Sequence, residues 1–482
     1  MFENCFSTVA IGVCLGSVAL AVEQPFVEVD RERTTSLRER GTGRPIVVVG
    51  VNYFSPDIGW APKLWQRFDE TAIRHQLKML HEQGYNAIRV FLTFESFHRE
   101  PGKVHPEGER KFGRLLALCR DLGLYVIPSG PDHWEGTPSW RQGGDVFADD
   151  RILAADESWW KEFAHCFKDE PAILAWDLLN EPAVAWKTSA MAVKWNAWLK
   201  AEYGSVERLA AKWGREAETL GGFGGVETPP REPALGDVRL FDYQRFRESI
   251  GDEWTRRLTT AIRSVDSHHL ITIGHIQWAA VVYLPTVWHY AGFEPKANAR
   301  HLDFMTVHFY PLAGPHPGAA PEGLAVNASY LEAVLHEFTV GKPLMLGEFA
   351  WYGGGAIMAN GKEVMPTRTL EDQVAWGRKL LDVTRGRLCG WLHWAFADTP
   401  TSSDLTRWSG LWTEQLELKP WGEVYGRFAR EHCSRPEVPR PFPSFLTRFE
   451  FDRKAMLTDP GAGEAVRLAL LKAAASQPAA GR

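Results

Sequence analysis

Two glutamates carry the chemistry this sequence offers. The run Ile173-Leu174-Ala175-Trp176-Asp177-Leu178-Leu179-Asn180-Glu181-Pro182 begins continuously apolar and stops at a proline, leaving Glu181 at its C-terminal lip. Continuous apolarity marks a strand covered on both faces, and proline cannot extend a sheet ladder. Pro343-Leu344-Met345-Leu346-Gly347-Glu348-Phe349 places Glu348 at the end of a second such run. A lone carboxylate there is ordinary strand-end polarity. A pair can divide labour: one, protonated, delivers a proton to a leaving oxygen while the other, ionised, attacks a carbon or activates water. Glycosidic cleavage needs that division, and environment enforces it by holding the acid near pH 6.

Such residues must be held by the elements around them, and these follow a βα rhythm. Further strands are predicted over 46–51, 86–92, 124–128, 270–275, 304–310 and 390–396, separated by helical stretches such as Glu70–Gln83, Lys111–Leu122 and Trp159–Lys168. With 173–179 and 343–349 the count is eight, which specifies an α/β chain folded as a (β/α)8 TIM barrel. One interval is too long: Ala183–Asp266 holds a Trp-rich helical piece, a Gly/Pro loop at 221–233 and the amphipathic stretch Phe241–Val265. Residues 183–240 therefore read as a helical insertion between strands four and five, forming part of the cleft wall, with 221–225 a flexible connector. The barrel domain spans 22–434, and the Pro-rich passage from Arg435 opens a C-terminal extension, 435–482.

Composition narrows the function. A net charge of −6 over 482 residues gives no reason to expect nucleic acid as a partner. The 21 tryptophans serve a core or sugar-stacking surfaces equally well. Phe6–Val22 is too short for a stable membrane span and ends in Ala19-Leu20-Ala21, so residues 1–21 read as a secretory signal peptide and the protein as secreted or periplasmic, although Met1–Asn4 lacks the usual basic residue. Cys119, Cys166, Cys389 and Cys433 form no CxxC pair, so no zinc site and no cofactor is expected. Asn327-Ala328-Ser329 is a glycosylation sequon of a kind that arises by chance.

Trp176-Asp177-Leu178-Leu179-Asn180-Glu181-Pro182 and Leu346-Gly347-Glu348-Phe349 resemble the acid/base and nucleophile strands of the clan A glycoside hydrolases, most nearly family 5, which holds cellulases and β-mannanases. The resemblance runs from about Phe26 to about Ala429. It implies a retaining double displacement with Glu181 as acid/base and Glu348 as nucleophile, acting on a β-linked oligo- or polysaccharide. It also implies that Arg89 keeps the nucleophile ionised, that Asn180 bonds the sugar 2-hydroxyl, that His308 and Tyr310 stand beside the carboxylates, and that Trp394 forms the platform under the −1 sugar. Trp391 is the alternative platform, and His133 is a further site residue by a more variable local pattern. Glu95, Glu135, Asp177 and Asp398 compete as strand-end acids; Asp177, four residues before Glu181, reads as structural.

The substrate divides the resemblance. Trp195–Leu199, Tyr203-Gly204-Ser205 and Trp213-Gly214 are similar to the segment after the acid/base in family 42 β-galactosidases, whereas Ser409-Gly410-Leu411-Trp412 and Lys419-Pro420-Trp421 look like mannanase-type members of family 5. A mannan-type activity (endo-β-mannanase or β-mannosidase) is the expectation; an exo-acting β-galactosidase or β-glucosidase is the alternative within the clan. Two readings of other classes stand beside these. A metal-dependent barrel hydrolase would use His133, His275, His308 and His393, but strand one has no His-x-His pair. A non-catalytic carbohydrate-binding barrel would keep the cleft without turnover.

Overall fold

The computed structural model describes residues 24–56, 63–231, 237–282, 289–311, 321–440, 451–459 and 461–476; the leader lies outside them. Eight parallel strands close into a barrel: Val48–Asn52, Ala87–Thr93, Tyr125–Asp132, Ala175–Asn180, Leu270–His275, Met305–Phe309, Leu344–Phe349 and Gly390–His393, with strand seven pairing strands six and eight. The (β/α)8 TIM barrel is therefore the fold. No helix among the described residues is long and apolar enough to cross a membrane.

Side-chain alternation divides each strand between two cores. One side packs against the helices, where Ile73, Leu77 and Leu80 of helix Glu70–Glu82 bury the stripe that their spacing predicts. The other fills the barrel interior with Val48, Ala87, Tyr125, Ile127, Ala175, Leu270, Met345 and Leu392. A small antiparallel sheet, Val27–Val29, Leu37–Glu39 and Pro45–Ile46, contributes Val27, Leu37 and Ile46 to that interior core and closes the N-terminal end. Ile46 thus belongs to this cap rather than to barrel strand one, as the apolar run 46–51 suggests.

Helices Ser189–Tyr203 and Val206–Trp213 form the insertion, ahead of the long helix Val238–Arg263. Their tryptophans make packing: Trp195 stacks on Trp198 and Trp213 at 5.5 and 6.2 Å, and Trp213 Nε1 and Tyr203 OH both donate to Asp242 at 2.8 and 2.6 Å. Residues 221–225 are not a loose connector. Asn196 accepts from the Gly224 and Val226 amides at 2.7 and 3.0 Å and donates to the Val226 carbonyl at 3.0 Å, so one buried amide clasps the loop.

Two more features lie outside the sequence reading. After strand seven the chain makes a hairpin, Gly355–Ala359 with Lys362–Arg368, turning at Asn360 and Gly361 with φ of 51° and 74°. Both central residues in the left-handed region define the turn whose twist suits a hairpin. The C-terminal extension docks on the barrel: helices Arg453–Thr458 and Ala462–Ala475 pack against Val238–Arg263 and Pro321–Glu337, and Arg453 pairs with Glu248 and, at 3.5 Å, with Glu294. Asn327 is fully buried in its helix and donates to the Gly323 carbonyl at 2.8 Å, so the sequon offers no accessible acceptor.

Candidate active site

Above the apolar interior, the C-terminal ends of the strands carry a polar layer organised by Arg89. Arg89 points inward from strand two and is 1% exposed. Its Nε and Nη2 donate to Asp177 Oδ2 at 2.9 and 2.7 Å; its Nη1 donates to Asn52 Oδ1 at 2.9 Å and Glu348 Oε1 at 2.8 Å; Nη2 also reaches Ser129 Oγ at 3.1 Å and Asn180 Oδ1 at 2.9 Å. One rigid guanidinium therefore ties together strands one, two, three, four and seven. Asp177 is the buried counter-ion that makes an interior Arg affordable, and its other oxygen accepts the Gly274 amide at 2.7 Å. Asn52 fixes the hub from the opposite side by donating to the Gly347 carbonyl at 3.0 Å. Sequence reading left Asn52 and Ser129 out; inward parity with Gly50 and Ile127 was the available signal.

The backbone aims the two glutamates. The pairing register shifts between Asp177 and Asn180 against strand five, and between Leu346 and Glu348 against strand six. Such bulges re-aim the residues beside them. Glu181 itself sits at φ 47°, in the left-handed region, with its amide held by the Gly274 carbonyl at 2.8 Å. A non-glycine residue held there is a local strain that the surrounding bonds sustain.

The carboxyl groups then meet different surroundings. Glu348 accepts from Arg89 through Oε1 and from Tyr310 OH through Oε2 at 2.7 Å, and its side chain is only 5% exposed. Burial raises its pKa, and the neighbouring Glu181 adds to the rise; His308, Arg89 and the Tyr310 hydrogen bond oppose it. Among the described residues no such cation is bonded to Glu181. Burial pushes it to about 7, partly opposed by the more distant Arg89 and reinforced by Asp132. Its side chain stays 29% exposed, so the group is reachable from the cleft. The environment thus leaves Glu348 the readier to ionise and Glu181 the readier to hold a proton. His308 stands between them, its Nδ1 2.9 Å from Glu181 Oε1 and 3.4 Å from Glu348 Oε1. Burial pushes His308 down to about 4, so its ring is neutral. It fits only because strands five and seven carry glycine beside it: a Cβ on Gly274 would lie 2.6 Å from Arg89 Nη2 and 3.1 Å from His308 Nε2, and one on Gly347 would lie 3.0 Å from His308 Nε2.

Trp394 leaves strand eight in a cis peptide with Ala395, lies between Phe54 and Phe91 with centroids 5.6 Å away on each side, and donates Nε1 to Thr406 Oγ1 at 2.9 Å. Trp391 points the other way, bonding Thr384 at 2.8 Å and packing edge-on to Phe428 in the helical layer, so it cannot floor the cleft. His133 sits at the rim, its side chain 66% exposed and paired with Asp132; among the described residues no bond joins it to either glutamate. The competing acids have structural partners: Glu135 accepts from Thr93 and Ser96, Asp398 pairs with Lys419 at 2.8 Å, and Glu95 lies near Arg99 at the surface.

The four histidines do not converge. His275 and His393 are buried and bond the carbonyls of Thr306 and Ala395. Among the described residues one group could offer three metal ligands, namely Glu181, His308 and Glu348, with atoms within 4.8 Å of one another. A cation there would share the Glu348 carboxylate with the Arg89 guanidinium that already bonds its Oε1, which makes the donor set a poor one for a metal.

Comparison with known proteins agrees with this geometry. The family model described as cellulase (glycosyl hydrolase family 5) matches residues 42–214, and that described as β-galactosidase (glycosyl hydrolase family 42) matches residues 149–351. No curated protein matches the sequence closely enough to count as a relative. Among solved structures, the exo-β-1,4-mannosidase Op5Man5 from Opitutaceae bacterium strain TAV5 shares 20% identity over 84% of this chain at a TM-score of 0.59. This chain spans 62% of that protein's length. A family 5 subfamily 18 protein from Streptomyces cattleya, solved with Manβ1-4GlcNAc, shares 19% identity over 82% of this chain and 83% of its own, at 0.56. A β-galactosidase from the psychrophilic Marinomonas ef1 shares 15% identity over 85% of this chain and 62% of its own, at 0.61. At these identities the structural likenesses show a common fold. The two family matches overlap at the Glu181 strand, so the chain is similar there to two families of O-glycosyl hydrolase of clan A, β-glycoside hydrolases built on a TIM barrel.

Proposed function

We propose that this protein is a retaining β-glycosidase of mannan-type specificity, a β-mannosidase or endo-β-mannanase, with Glu348 as nucleophile and Glu181 as acid/base. The observation that carries the mechanism is the spacing: ligand oxygens of the two carboxylates lie within 4.8 Å of each other. Retaining enzymes hold their carboxyl groups about 5–5.5 Å apart, whereas inverting ones need about 6.5–9.5 Å to seat a water. In the first step a Glu348 oxygen bonds the anomeric carbon while the proton of Glu181 passes to the departing glycosidic oxygen. In the second, ionised Glu181 takes a proton from water, the hydroxyl bonds the anomeric carbon, and Glu348 leaves with its electron pair. Arg89 and Tyr310 hold Glu348 as an oriented anion between attacks. Asn180 spends its carbonyl oxygen on Arg89, which leaves its amide hydrogens to donate to a sugar hydroxyl. Trp394 offers an aromatic floor, and His133 a rim contact.

The mannose preference is supported by the names of two structural neighbours, a mannosidase and a complex with Manβ1-4GlcNAc. The β-galactoside reading is favoured by the family 42 match across the insertion. An oligosaccharide or polysaccharide substrate suits an exported enzyme, for which the leader-like residues 1–21, outside the described residues, are the support. The test is a panel of aryl β-mannoside, β-galactoside and β-glucoside with soluble β-mannan, the anomer of the first product being followed by NMR. Preferred turnover of a mannoside or mannan with β product is expected. Preference for galactoside moves the chain to the second reading, α product overturns retention, and binding without turnover moves it to the non-catalytic barrel.

A further inference from the structure

Beside the glutamates the structure holds a cavity of about 340 Å³ that, apart from His133 at its rim, has no part in the mechanism above. Its floor is apolar: Trp160, Leu178, Trp254 and Leu258 lie between strand four and the helices Asp150–Phe167 and Val238–Arg263. Val146 and Leu179 form its walls, and Asp132 and His133 stand at its mouth. Arg141 and Asp156 also line it, but they face each other at 2.5 and 3.1 Å, and Arg141 lies over the Phe94 ring at 4.2 Å; the other polar side chains, Thr137 and Gln142, are exposed and stand at the rim. Their bonding capacity is directed at one another rather than at the space.

The mouth adjoins the acid/base. Ser129 of strand three is in register with Asp177 of strand four. Asp132 lies further along strand three, close enough to Glu181 for its charge to act on that carboxyl, and the wall residue Leu179 immediately precedes Asn180–Glu181, so the mouth lies next to the acid/base corner. Glu181 is the group that faces the departing half of a glycoside under the proposed mechanism. A second sugar would suit the buried floor of this cavity poorly, because each of its hydroxyls needs a partner and Trp160, Leu178, Trp254 and Leu258 leave them desolvated. An aryl ring or an alkyl chain loses nothing there and buries apolar surface.

We infer that this cavity is an aglycone site, taking the apolar aryl or alkyl group of a β-glycoside whose sugar occupies the cleft. The inference rests on the glycosidase reading and adds the substrate class: glycosides of apolar alcohols or phenols beside, or in place of, saccharides.

The test compares KM for n-octyl and methyl β-mannoside, the octyl compound being kept below its micelle concentration. The wild-type protein should show a KM for the octyl substrate at least about tenfold lower, since even one well-packed methylene is worth about that much. Val146→Trp fills the cavity from its wall, and Thr137→Trp covers it from an exposed rim position; each should bring the two KM values within about twofold. Equal KM values in the wild type, or a preference untouched by both variants, overturns the inference. Equilibrium dialysis with 4-nitrophenol separates the two proposals. Saturable binding that both variants weaken, with no mannoside turned over, keeps the cavity's assignment and retires the mannoside reading. Absence of such binding, together with no octyl preference, retires the aglycone site.

Discussion

Replacing Glu181 with glutamine should stabilise the protein above neutral pH while disabling it. Burial carries the Glu181 carboxyl from its ordinary 4.5 to about 7. At about 1.4 kcal/mol per pH unit, the folded chain favours the protonated form by about 3 kcal/mol, which the 29% exposure of the side chain trims toward about 2 kcal/mol. The sign follows from proton counting. Between the unfolded and folded pKa values the native state binds more protons than the unfolded one, so stability falls as pH rises through that window and is lowest above about 7. Glutamine keeps the shape and can still meet His308 Nδ1, but it has no proton to lose. An unfolding entropy of about 2.1 cal/mol/K per residue gives about 1 kcal/mol/K over 482 residues, so the gain is worth about 2–3 °C. Scanning calorimetry of both proteins at pH 4 and pH 8 measures it. The account expects Glu181→Gln to melt higher than wild type at pH 8 and level with it at pH 4. An equal difference at both pH values, or a variant less stable at pH 8, would refute the assignment of a raised carboxyl to this position.

Two further outcomes follow from the same geometry. Tyr310→Phe removes the hydroxyl that donates to Glu348 Oε2; the bond favours the ionised form, so its loss should lower kcat about 10–100-fold and move the acid limb of the kcat/KM profile to higher pH, read on an aryl glycoside. Gly274→Ala would set a methyl 2.6 Å from Arg89 Nη2 and 3.1 Å from Asp177 Oδ2, so crowding of about 1–3 kcal/mol should appear as a lower melting temperature together with a loss of kcat out of proportion to any change in KM.

Much of this arrangement was readable from the chain because barrel strands announce themselves. Continuous apolar runs ending in Asn180-Glu181-Pro182 and Gly347-Glu348 gave strand, end and carboxylate together. An arginine inside Ile88-Arg89-Val90 had to be paired within the barrel, and it is. What sequence concealed was mostly partnership across strands: Asp177 reads as a structural acid, and only the closed sheet brings it to Arg89. Strand eight left Trp391 and Trp394 both open because parity is lost where the strand ends at His393 and a cis peptide follows. The hairpin after strand seven is absent from the sequence reading, although Asn360-Gly361 between short β-prone runs is a two-residue turn signal. The clasp of Asn196 on its glycine loop was not legible, because it joins residues about thirty positions apart through one side chain.

The central claim is that Glu348 forms a bond to the sugar. Incubation with a 2-deoxy-2-fluoro-β-mannosyl fluoride, which slows the second step more than the first, followed by protease digestion and mass spectrometry, tests it most directly. The account predicts a stoichiometric glycosyl adduct on the peptide that contains Glu348, absent in Glu348→Gln and still formed, for this activated leaving group, in Glu181→Gln. An adduct on any other residue, or the same adduct in Glu348→Gln, would contradict it.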